Sequence, residues 1–457
     1  MRFLARLASH GRKPAVVTDA GELDYEALLG LVGARHDELA AAGIGPTSVV
    51  GLEIEDEVEH LVFSLALFAA GASHMTLATH DPVAVKQMLA ARSGMTHHVA
   101  SGQVTARGGD GPAQPPPEGV VYLKTSGTTG DMNIVAFTET QIGEQSGRHP
   151  EYAGERLLRL ASIEHNNSTR HRLYCAFMGG VNVFRPHGEF DVADFCRRHA
   201  VTCLDISRMH ASDLANRGGI GRFEGVKLRT GGSAIPIDVR RAIEQRVTPL
   251  LFVRYASTES GAIAMAGPGE HDEDESVGRP LPGVELEVVD ADNRPVPPGT
   301  TGRIRLRAAG MARGYLGGGE QSAARFRDGW FWPGDVGLLR SDGRLVVQGR
   351  QDDMMILNGL NIFPSEIERV LERHPAVSVA AALPLASTVH GQIPVAAVEL
   401  RPGAQVTARE LQDYARGQLA LRAPRKVLVL DALPRNSQGK ILRREIASAF
   451  QKALPRT

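Results

Sequence analysis

The apolar positions of the first hundred residues alternate between two spacings. Apolar residues recur at helical spacing from Tyr25 to Ala42, with Asp24 at the N-cap position, and again from Val58 to Ala70. The segments Ser48 to Ile54 and Ser73 to Ala78 are short and rich in apolar residues, and we expect both to be strands, the first of them buried. This strand–helix–strand order predicts an α/β layered domain with parallel strands.

The pattern changes twice towards the C-terminus. The α/β alternation includes a strand at Val120 to Lys124 and continues to about Tyr255. From Val277, short apolar stretches separated by Pro-Gly and Asp-Gly pairs predict a small antiparallel sheet or barrel. Beyond about Asp352 we expect a small α+β domain, with two strands and a helix at Val377–Leu383, Ile393–Leu400 and Ala408–Leu419. The sequence therefore predicts two domains, 1–350 and 351–457.

A further helix is predicted from Phe363 to His374. Ser365 is expected to cap its N-terminus, and Glu368, three residues later, to complete a capping box.

Composition narrows the class of protein. Asp plus Glu outnumber Lys plus Arg by 52 to 51, so no excess positive field is present to attract nucleic acid or an anionic membrane. The three cysteines match no C-x-x-C pattern and are expected to be small buried hydrophobes in a reducing compartment. We identify no signal peptide and no apolar run long enough to span a bilayer, so a cytoplasmic location is expected.

The first candidate motif is the turn Thr125 to Gly130, which reads TSGTTG directly after a strand. Glycines let backbone amides approach phosphate oxygens closely, and hydroxyl side chains add donors. It is not a Walker A loop, because no Gly-Lys-Ser/Thr follows. By itself the motif fits a phosphate loop and an ordinary threonine- and glycine-rich turn equally well.

Two further motifs place aromatic rings beside a carboxylate. Tyr255 to Glu259 reads YASTE: the ring suits a base, the threonine hydroxyl a phosphate and the glutamate a magnesium ion. Gly329 to Asp335 reads GWFWPGD, and the carboxylate of Asp335 is suited to a pair of ribose hydroxyls. The alternatives are a loop with a solvated glutamate and a packed aromatic turn.

Two motifs flank the predicted C-terminal domain. Gly349 to Asp353 reads GRQDD and lies at the domain boundary, whereas Pro434 to Lys440 reads PRNSQGK. The chain has only seven lysines, so a lysine inside a motif is expected to have a specific role more often than in a lysine-rich chain. The ammonium of Lys440 is suited to a phosphate. A solvated surface lysine is the alternative.

In this order the five motifs resemble the signature series of the adenylate-forming superfamily, which includes acyl- and aryl-CoA synthetases, adenylation domains of peptide synthetases and luciferases. GGSAI at 231–235 and SVGRPLPG at 276–283 are similar to its intermediate motifs, and the resemblance runs from about residue 14 to residue 446. It implies an ATP- and acid-binding N-terminal domain of α/β subdomains with a barrel-like subdomain, followed by a mobile C-terminal domain. It also implies two half-reactions. A carboxylate attacks the α-phosphate of magnesium–ATP to give an acyl-adenylate and pyrophosphate, and a thiol of CoA or of a carrier protein's pantetheine then displaces AMP.

The resemblance implies a role for each matching residue. Those expected to bind ATP are Thr125, Ser126, Gly127, Thr128, Thr129 and Gly130 at the β- and γ-phosphates, Gly232, Ser233 and Ala234 along the adenine, Tyr255 stacked on the adenine, and Asp335 with Arg350 at the ribose. Those expected at the reacting groups are Thr258 at the α-phosphate, Glu259 on magnesium, His165 at the gate of the acid pocket, and Lys440 between the α-phosphate and the carboxylate. Asp352 is expected to be the hinge of the C-terminal domain, and Gly359 to border the pantetheine tunnel.

The chain departs from the family's pattern after the phosphate loop. It continues Asp131-Met132-Asn133 where relatives usually have a Pro-Lys-Gly segment, which removes positive charge near pyrophosphate. Substrate specificity is expected in Ser162–Gly180 and Asp205–Gly232. The first of these segments is too polar for a long alkyl tunnel, so a small, polar or aromatic acid is expected. That several of its side chains face solvent remains the alternative.

Three functions stay open at this point. The first is acid activation with transfer to a thiol, where any carrier protein would act in trans. The second is adenylation with a non-thiol acceptor, such as an amine or an inorganic nucleophile. The third is a degenerate nucleotide-binding sensor, supported only by the altered loop.

Overall fold

The computed structural model describes residues 3–107, 118–125, 132–216, 223–357, 360–387, 391–435 and 441–453. The first range contains helices and strands in alternation. They are α1 (Phe3–Ala8), β1 (Pro14–Thr18), β2 (Gly21–Asp24), α2 (Tyr25–Ala41), β3 (Val49–Glu53), α3 (Glu57–Ala69), β4 (Ser73–Thr76), α4 (Val83–Ser93), β5 (His97–Ala100) and β6 (Gln103–Ala106).

The central part of the chain continues the alternation. Its elements are β7 (Val120–Lys124), β8 (Ile134–Thr138), α5 (Glu139–Ser146), β9 (Arg156–Arg159), α6 (Asn166–Met178), β10 (Val181–Val183), α7 (Val192–Arg198), β11 (Cys203–Ile206), α8 (Arg208–Asn216), β12 (Lys227–Gly231), α9 (Ile237–Arg246), β13 (Leu251–Ser257) and β14 (Gly261–Ala266). A 3₁₀ turn, Pro150–Gly154, precedes β9.

The remaining elements are mostly short strands and then a mixed C-terminal part. They are β15 (Arg279–Pro280), β16 (Val284–Val289), β17 (Gly302–Ala308), α10 (Gly319–Arg325), β18 (Phe326–Arg327), β19 (Trp330–Phe331), β20 (Asp335–Leu339), β21 (Leu345–Arg350), β22 (Met355–Leu357), β23 (Leu360–Ile362), α11 (Pro364–Glu372), β24 (Val377–Ser387), β25 (Gly391–Leu400), α12 (Ala408–Leu419), β26 (Lys426–Leu430) and α13 (Arg443–Ala453).

Two layered sheets form the larger part of the molecule. The first has the strand order β15-β14-β13-β12-β11-β9-β10-β1-β2 and is parallel from β13 to β1; the second has the order β6-β5-β3-β4-β7-β8 and is parallel from β5 to β7. One apolar core joins both sheets through α2, α3 and α6, which lie between them. The predicted α/β class with parallel strands is confirmed.

The two predicted changes of character are also confirmed. Strands β16 to β21 form a six-stranded antiparallel sheet. In the C-terminal part, β24, β25 and β26 form a mixed sheet whose apolar face packs against α11 and α12. Ion pairs that join the C-terminal part to the larger part include Arg208 with Glu372 at 2.5 Å, Arg369 with Glu275 at 3.0 Å and Arg373 with Glu273 at 3.5 Å.

The predicted cap of α11 is wrong. Phe363 occupies the N-cap position without a side-chain hydrogen bond, and Pro364, whose fixed φ suits the first helical position, starts the helix. The hydroxyl of Ser365 donates instead to the main-chain carbonyl of Gln348 in β21. Glu368 accepts from the amide of Ala382 at 2.9 Å. Tertiary contacts therefore take both side chains away from the local cap.

The expectation for the cysteines is met within the described residues. Cys175, Cys196 and Cys203 are buried and free, and burial raises the pKa of Cys196 and of Cys203 to about 12. Across the parts of the chain described here, no helix combines the length and the apolar character needed to cross a membrane.

Candidate active site

The start of α6 lies against the end of β7, where the predicted phosphate loop begins. The side-chain amide of Asn166 donates to the main-chain carbonyl of Lys124. One residue on, the amide of Thr125 donates to the carbonyl of Asn133 at 2.7 Å, so the two ends of the loop are tied together by their backbones. Lys124 forms an ion pair with Asp81. The loop's entrance is thus built from β7, β8 and α6.

His165 occupies the N-cap position of α6 but makes no side-chain cap. Its ring lies 5.5 Å from the ring of His80. Burial, together with the neighbouring His80 and Lys124, lowers the pKa of His165, so this imidazole is uncharged at neutral pH. Glu164, which precedes the N-cap, accepts from the amide of Thr79 at 2.6 Å. This hydrogen bond fixes the segment before α6 to the loop after β4.

The YASTE motif is partly strand and partly turn. Strand β13 extends through Ser257, further than the apolar run predicted, and Tyr255 lies within it. Because Gly231 pairs with Arg254, the exposed Gly232 at the end of β12 comes next to Tyr255 across the sheet. Gly232 has a φ of +82°, and a Cβ there would meet no atom within 4 Å, so the space beside the motif is open. Ser233 and Ala234 follow and are also exposed.

Tyr255 and Asp335 meet directly although 80 residues separate them. The phenol of Tyr255 donates to Oδ2 of Asp335, and Nη1 of Arg350 lies 3.6 Å from the other carboxylate oxygen. Burial raises the pKa of Asp335, whereas Arg350 and the phenol favour its ionised form. Asp335 begins β20 and pairs with Arg350 on β21, so it belongs to a strand rather than to the predicted tight turn.

Arg350 also extends the site towards the predicted hinge. Its Nη1 donates to the carbonyl of Pro333 at 2.6 Å, and its Nη2 lies 3.4 Å from the carboxylate of Asp352. The same carboxylate accepts from Arg325 at 2.8 Å. The exposed Asp352 is therefore held by arginines from α10 and β21, at the point where the antiparallel sheet ends.

Thr258 and Glu259 form a turn fixed from both sides. The guanidinium of Arg170 in α6 donates to the carbonyl of Thr258 at 2.8 Å. On the other side, the phenol of Tyr315 donates to Oε1 of Glu259 at 2.8 Å, and the amide of Ala312 donates to its carbonyl at 2.7 Å. Thr258 and Glu259 are both half-buried.

The second carboxylate oxygen of Glu259, Oε2, has no partner among the described residues. An oxygen of this kind is a ligand that Mg²⁺ prefers, and Mg²⁺ in nucleotide sites is held by one or two carboxylates and by phosphates. Groups of three or more His, Cys, Asp or Glu that could enclose a metal by themselves do not occur in the described ranges. Glu259 therefore fits a Mg²⁺ ion that the nucleotide also binds.

Several predicted site residues lie outside the described residues. They are Ser126, Gly127, Thr128, Thr129, Gly130, Asp131, Gly359 and Lys440.

The sequence pattern missed two residues that hold the site. Arg170 lies five residues after His165 on α6, within the segment expected to set specificity, where its polar character was visible but its contact with Thr258 was not. Tyr315 precedes α10 and has no pattern that marks it. The alternative that the polar side chains of Ser162–Gly180 face solvent is wrong for Glu164, Arg170 and His171, which are 4%, 4% and 3% exposed.

Two sequence models of one enzyme family match this chain. Residues 90–316 match the sequence model of the AMP-binding enzyme, and residues 366–440 that of the AMP-binding enzyme C-terminal domain. A 2-succinylbenzoate–CoA ligase of Bacillus subtilis is 31% identical over 345 residues, 72% of this chain and 68% of that protein.

Two further relatives match over shorter stretches. A 2-succinylbenzoate–CoA ligase of Geobacillus kaustophilus is 34% identical over 226 residues, 49% of this chain and 46% of that protein. A fatty acid–[acyl-carrier-protein] ligase, ScoC of Streptomyces coeruleorubidus, is 35% identical over 202 residues, 43% of this chain and 39% of that protein. The chain thus aligns with less than half the length of these two relatives.

Solved structures with the same fold cover almost the whole chain. ATP-bound MatB of Rhodopseudomonas palustris superposes with a TM-score of 0.87 at 22% identity, over 99% of this chain and 100% of that chain. The amide bond synthetase McbA of Marinactinospora thermotolerans superposes with a TM-score of 0.83 at 22% identity, over 98% and 99%. The predicted fold, a large N-terminal part followed by a smaller C-terminal part, is confirmed.

Proposed function

Because the chain belongs to the AMP-binding enzyme family, we propose that it is an AMP-forming acid ligase. It activates a carboxylic acid with ATP as an acyl-adenylate, releases pyrophosphate and transfers the acyl group to a thiol. The observation that carries the proposal is the contact between Tyr255 and Asp335, with Arg350 beside them. It joins an aromatic ring suited to adenine with a carboxylate suited to ribose hydroxyls. Both lie near the carboxyl end of β12, where the space beside Gly232 is open.

We assign the nucleotide as follows. Tyr255 stacks on the adenine along Gly232, Ser233 and Ala234, and Asp335 accepts the ribose hydroxyls with Arg350 behind it. The segment Thr125 to Gly130 binds the β- and γ-phosphates, which the closed neck between Thr125 and Asn133 supports. Backbone amides and hydroxyls in such a turn supply donors without a side-chain cation.

Thr258, Glu259 and Lys440 serve the reacting groups in this proposal. The hydroxyl of Thr258 binds the α-phosphate, and Lys440 bridges that phosphate and the attacking carboxylate. Its fixed charge is worth most when two anions meet in the transition state. Bound through Oε2 of Glu259, Mg²⁺ supplies positive charge to the polyphosphate.

The acid enters past the N-terminus of α6. His165 is uncharged at neutral pH and half-buried, so it closes the entrance as a neutral ring and does not compete with Lys440 for the carboxylate. Closing the site excludes water from an adenylate that would otherwise hydrolyse. The buried polar side chains of α6 favour a small, polar acid.

The second half-reaction uses CoA or a carrier protein's phosphopantetheine. The relatives named CoA ligases and a carrier-protein ligase support a thiol acceptor. We propose that the chain divides into 1–350 and 351–457 and that Asp352 is the hinge. Gly359 borders the pantetheine tunnel after the C-terminal domain has moved.

Pyrophosphate release tests the proposal. ATP and Mg²⁺ are incubated with a panel of acids, then with CoA, a pantetheinylated carrier or an amine, and the products are identified by mass spectrometry. Acid-dependent pyrophosphate release followed by a thioester supports the function. An amide as sole product supports a non-thiol acceptor, and tight ATP binding without turnover on any acid supports a sensor.

A further inference from the structure

A cluster of buried charges faces α6 on the first sheet, at the carboxyl ends of its strands. The basic cluster comprises Arg159, Arg229 and Arg254, with the carboxylates Asp205 and Glu151. Arg159, Asp205 and Arg229 are register partners on β9, β11 and β12, so their side chains stand in one row. All but Glu151, which is partly exposed, are at most 5% exposed.

The row lies where the order in which the chain adds strands to this sheet reverses. From β9 the chain crosses to β10 on one side and then returns to β11 on the other, so the crevice between β9 and β11 is a topological switch point. In open α/β sheets such crevices, at the carboxyl ends of the strands, are where ligands bind. The cluster therefore lies at the position where folds of this class commonly bind a ligand.

Positive charge exceeds negative charge in the cluster. Asp205 accepts from Arg159 at 2.6 Å and from Arg254 at 2.9 Å. Burial would raise the pKa of Asp205, but the arginines outweigh it and the pKa is lowered, so this carboxyl is ionised. Glu151 lies 3.2 Å from Arg229 and is ionised for a similar reason, with its pKa lowered by a hydrogen bond to His149 and by Arg229 against burial. Three guanidinium groups therefore face two carboxylates.

The neighbouring histidines do not change this count. His171 accepts or donates at 2.7 Å to the phenol of Tyr152, and burial together with Arg254 and Arg159 lowers its pKa well below the ordinary value. Burial likewise lowers the pKa of His149. Both rings are uncharged at neutral pH, so the excess positive charge stays uncompensated.

Arg229 carries donors without partners. Its side chain is 3% exposed, and among the described residues its Nε and Nη1 have no hydrogen-bond partner. Leaving a buried donor unsatisfied costs about 1–3 kcal/mol, more for a charged group. A guanidinium with unpartnered donors in a buried basic cluster is suited to a carboxylate, because a hydrogen bond between two charged groups is stronger than a neutral one.

We propose that the acid activated by this protein is a dicarboxylic acid and that Arg229 binds the carboxylate that does not react. The inference rests on the proposed acid activation and names its substrate class. Arg170 connects the cluster to the reacting end, because it donates to the carbonyl of Thr258 at 2.8 Å and its charge also acts on the neighbouring His171. Ser257 follows Arg254 by three positions on β13, about 10 Å of strand, so the acid is compact, with about three to six carbons.

Matched substrates test the inference on the unmodified enzyme. Dicarboxylic acids of about three to six carbons are compared with their half-amides, which keep the size and remove one charge, by pyrophosphate release. We expect at least one dicarboxylic acid to exceed its half-amide by about 100-fold or more in kcat/KM, because the half-amide leaves a buried guanidinium without an anion. Equal rates for every pair would overturn the inference while leaving acid activation intact. No turnover on any acid, with ATP bound, would instead remove the proposed function.

The variant Arg229→Gln tests whether this side chain binds the carboxylate that does not react. We expect it to lower kcat/KM for the best dicarboxylic acid about 100-fold and to change that for the half-amide less than about threefold. Arg240→Gln is the matched control: Arg240 is 1% exposed and donates to the carbonyls of Ile235, Glu275 and Ser276, away from α6. It should destabilise the fold without changing the preference. A higher KM for ATP in Arg229→Gln with an unchanged acid preference would show that the cluster serves the nucleotide.

Discussion

Arg170 holds Thr258 by its main chain. One guanidinium nitrogen of Arg170 donates to the carbonyl of Thr258 at 2.8 Å and the other to that of Ser257 at 3.3 Å. Arg170 follows His165 by about one turn of α6, so the helix that begins at the acid gate also fixes the turn assigned to the α-phosphate. On the assignments proposed above, α6 therefore links acid binding mechanically to positioning of the α-phosphate.

We expect Arg170→Lys to impair adenylation more than stability alone explains. Lysine cannot span both carbonyls, so the turn carrying Thr258 loses its support, and a small misplacement of a reacting group costs up to about 100-fold in rate. The measurement is kcat for pyrophosphate release, together with the midpoint of thermal unfolding.

Arg172→Lys is the control for that change. Arg172 is on the same helix and equally buried, but it donates to the carbonyls of Leu157 and Val183. Both variants should lose about 1–3 kcal/mol of stability. If Arg172→Lys lowers kcat as much as Arg170→Lys, the link between α6 and the turn is contradicted.

Lys440→Ala should separate the two half-reactions. Its ammonium is assigned to the meeting of the carboxylate with the α-phosphate, and the second step proceeds after the C-terminal domain has moved. We therefore expect adenylate formation to fall by about 100-fold or more, whereas thioester formation from a supplied acyl-adenylate stays within a few-fold of the wild type. Equal loss of both steps would remove the assigned role.

Nucleotide affinity should fall on acidification through Asp335. Burial raises the pKa of this carboxyl from its ordinary value of 3.8, against the opposing effects of Arg350 and the Tyr255 phenol. Only the ionised form accepts both ribose hydroxyls, so AMP binding is complete above the raised pKa and is lost as the pH falls through it. Titration of AMP affinity against pH should give a midpoint above 3.8.

The sign of the stability effect is opposite, which separates binding from unfolding. A carboxyl whose folded pKa is raised holds its proton more tightly in the folded than in the unfolded chain, so this group stabilises the fold at acid pH and less so as the pH rises. Loss of AMP at low pH is therefore not unfolding driven by Asp335. In Asp335→Asn the affinity should be lower throughout and the midpoint absent; an unchanged pH profile would refute the assignment.

Asp352→Pro should slow the second half-reaction selectively. The Asp352 carboxylate is tied to Arg325 at 2.8 Å, just after the antiparallel sheet ends, and proline would fix φ where the hinge is assigned. We expect measurable adenylation and a thioester rate lowered by about tenfold or more.

Asp352→Ala is the matched control, because it removes the ion pair to Arg325 without fixing φ. It should leave both rates within a few-fold of the wild type. Loss of adenylation alone in Asp352→Pro, or equal losses in both variants, would exclude this residue as the pivot.

The elements with strong local patterns were predictable from the sequence, and the buried ionic contacts were not. Asp24 caps α2 through the amide of Ala27, because a side chain at that position and its helix are local. Ser365 and Glu368 have the same local pattern, yet distant partners, Gln348 and Ala382, outcompete the cap. A local sequence signal predicts a cap only where no tertiary contact gives the same side chain a more favourable hydrogen bond.

The candidate site divides along the same line. Tyr255, Asp335 and Glu259 were identified because motifs mark them, and the first two are in direct contact. Arg229 lies in the segment Asp205–Gly232 that was expected to set specificity, but neither it nor Arg254 was singled out, because their significance lies in register between strands, which composition and spacing do not encode. The polarity of α6 was visible, but only burial shows that its arginine and histidine face inwards.

The phosphate loop offers a last prediction, on Asn133. Relatives often have a lysine in this segment, and here Asn133 is half-buried, with its main-chain carbonyl engaged by the amide of Thr125 at 2.7 Å. That bond uses backbone only, so Asn133→Lys keeps the neck of the loop and adds one positive charge. A charge about 4–6 Å from the polyphosphate contributes on the order of 1 kcal/mol. We expect the KM for ATP to fall by about fivefold and the preference among acids to stay unchanged, since the loop is assigned to the phosphates and not to the acid.

Salt identifies the cause of that change. ATP titrations of the wild type and of Asn133→Lys at low and high ionic strength should show a gain that shrinks as salt rises, because an exposed charge is screened over about 10 Å at 0.1 M. Asn133→Gln, which lengthens the side chain without charge, should leave the KM for ATP unchanged. If Asn133→Lys has no effect at low salt, the side chain of residue 133 points away from the polyphosphate, and the loop binds it through backbone amides and hydroxyls alone. A gain that persists at high salt would instead indicate a buried contact, in which case the KM should also rise in Asn133→Asp by a comparable factor.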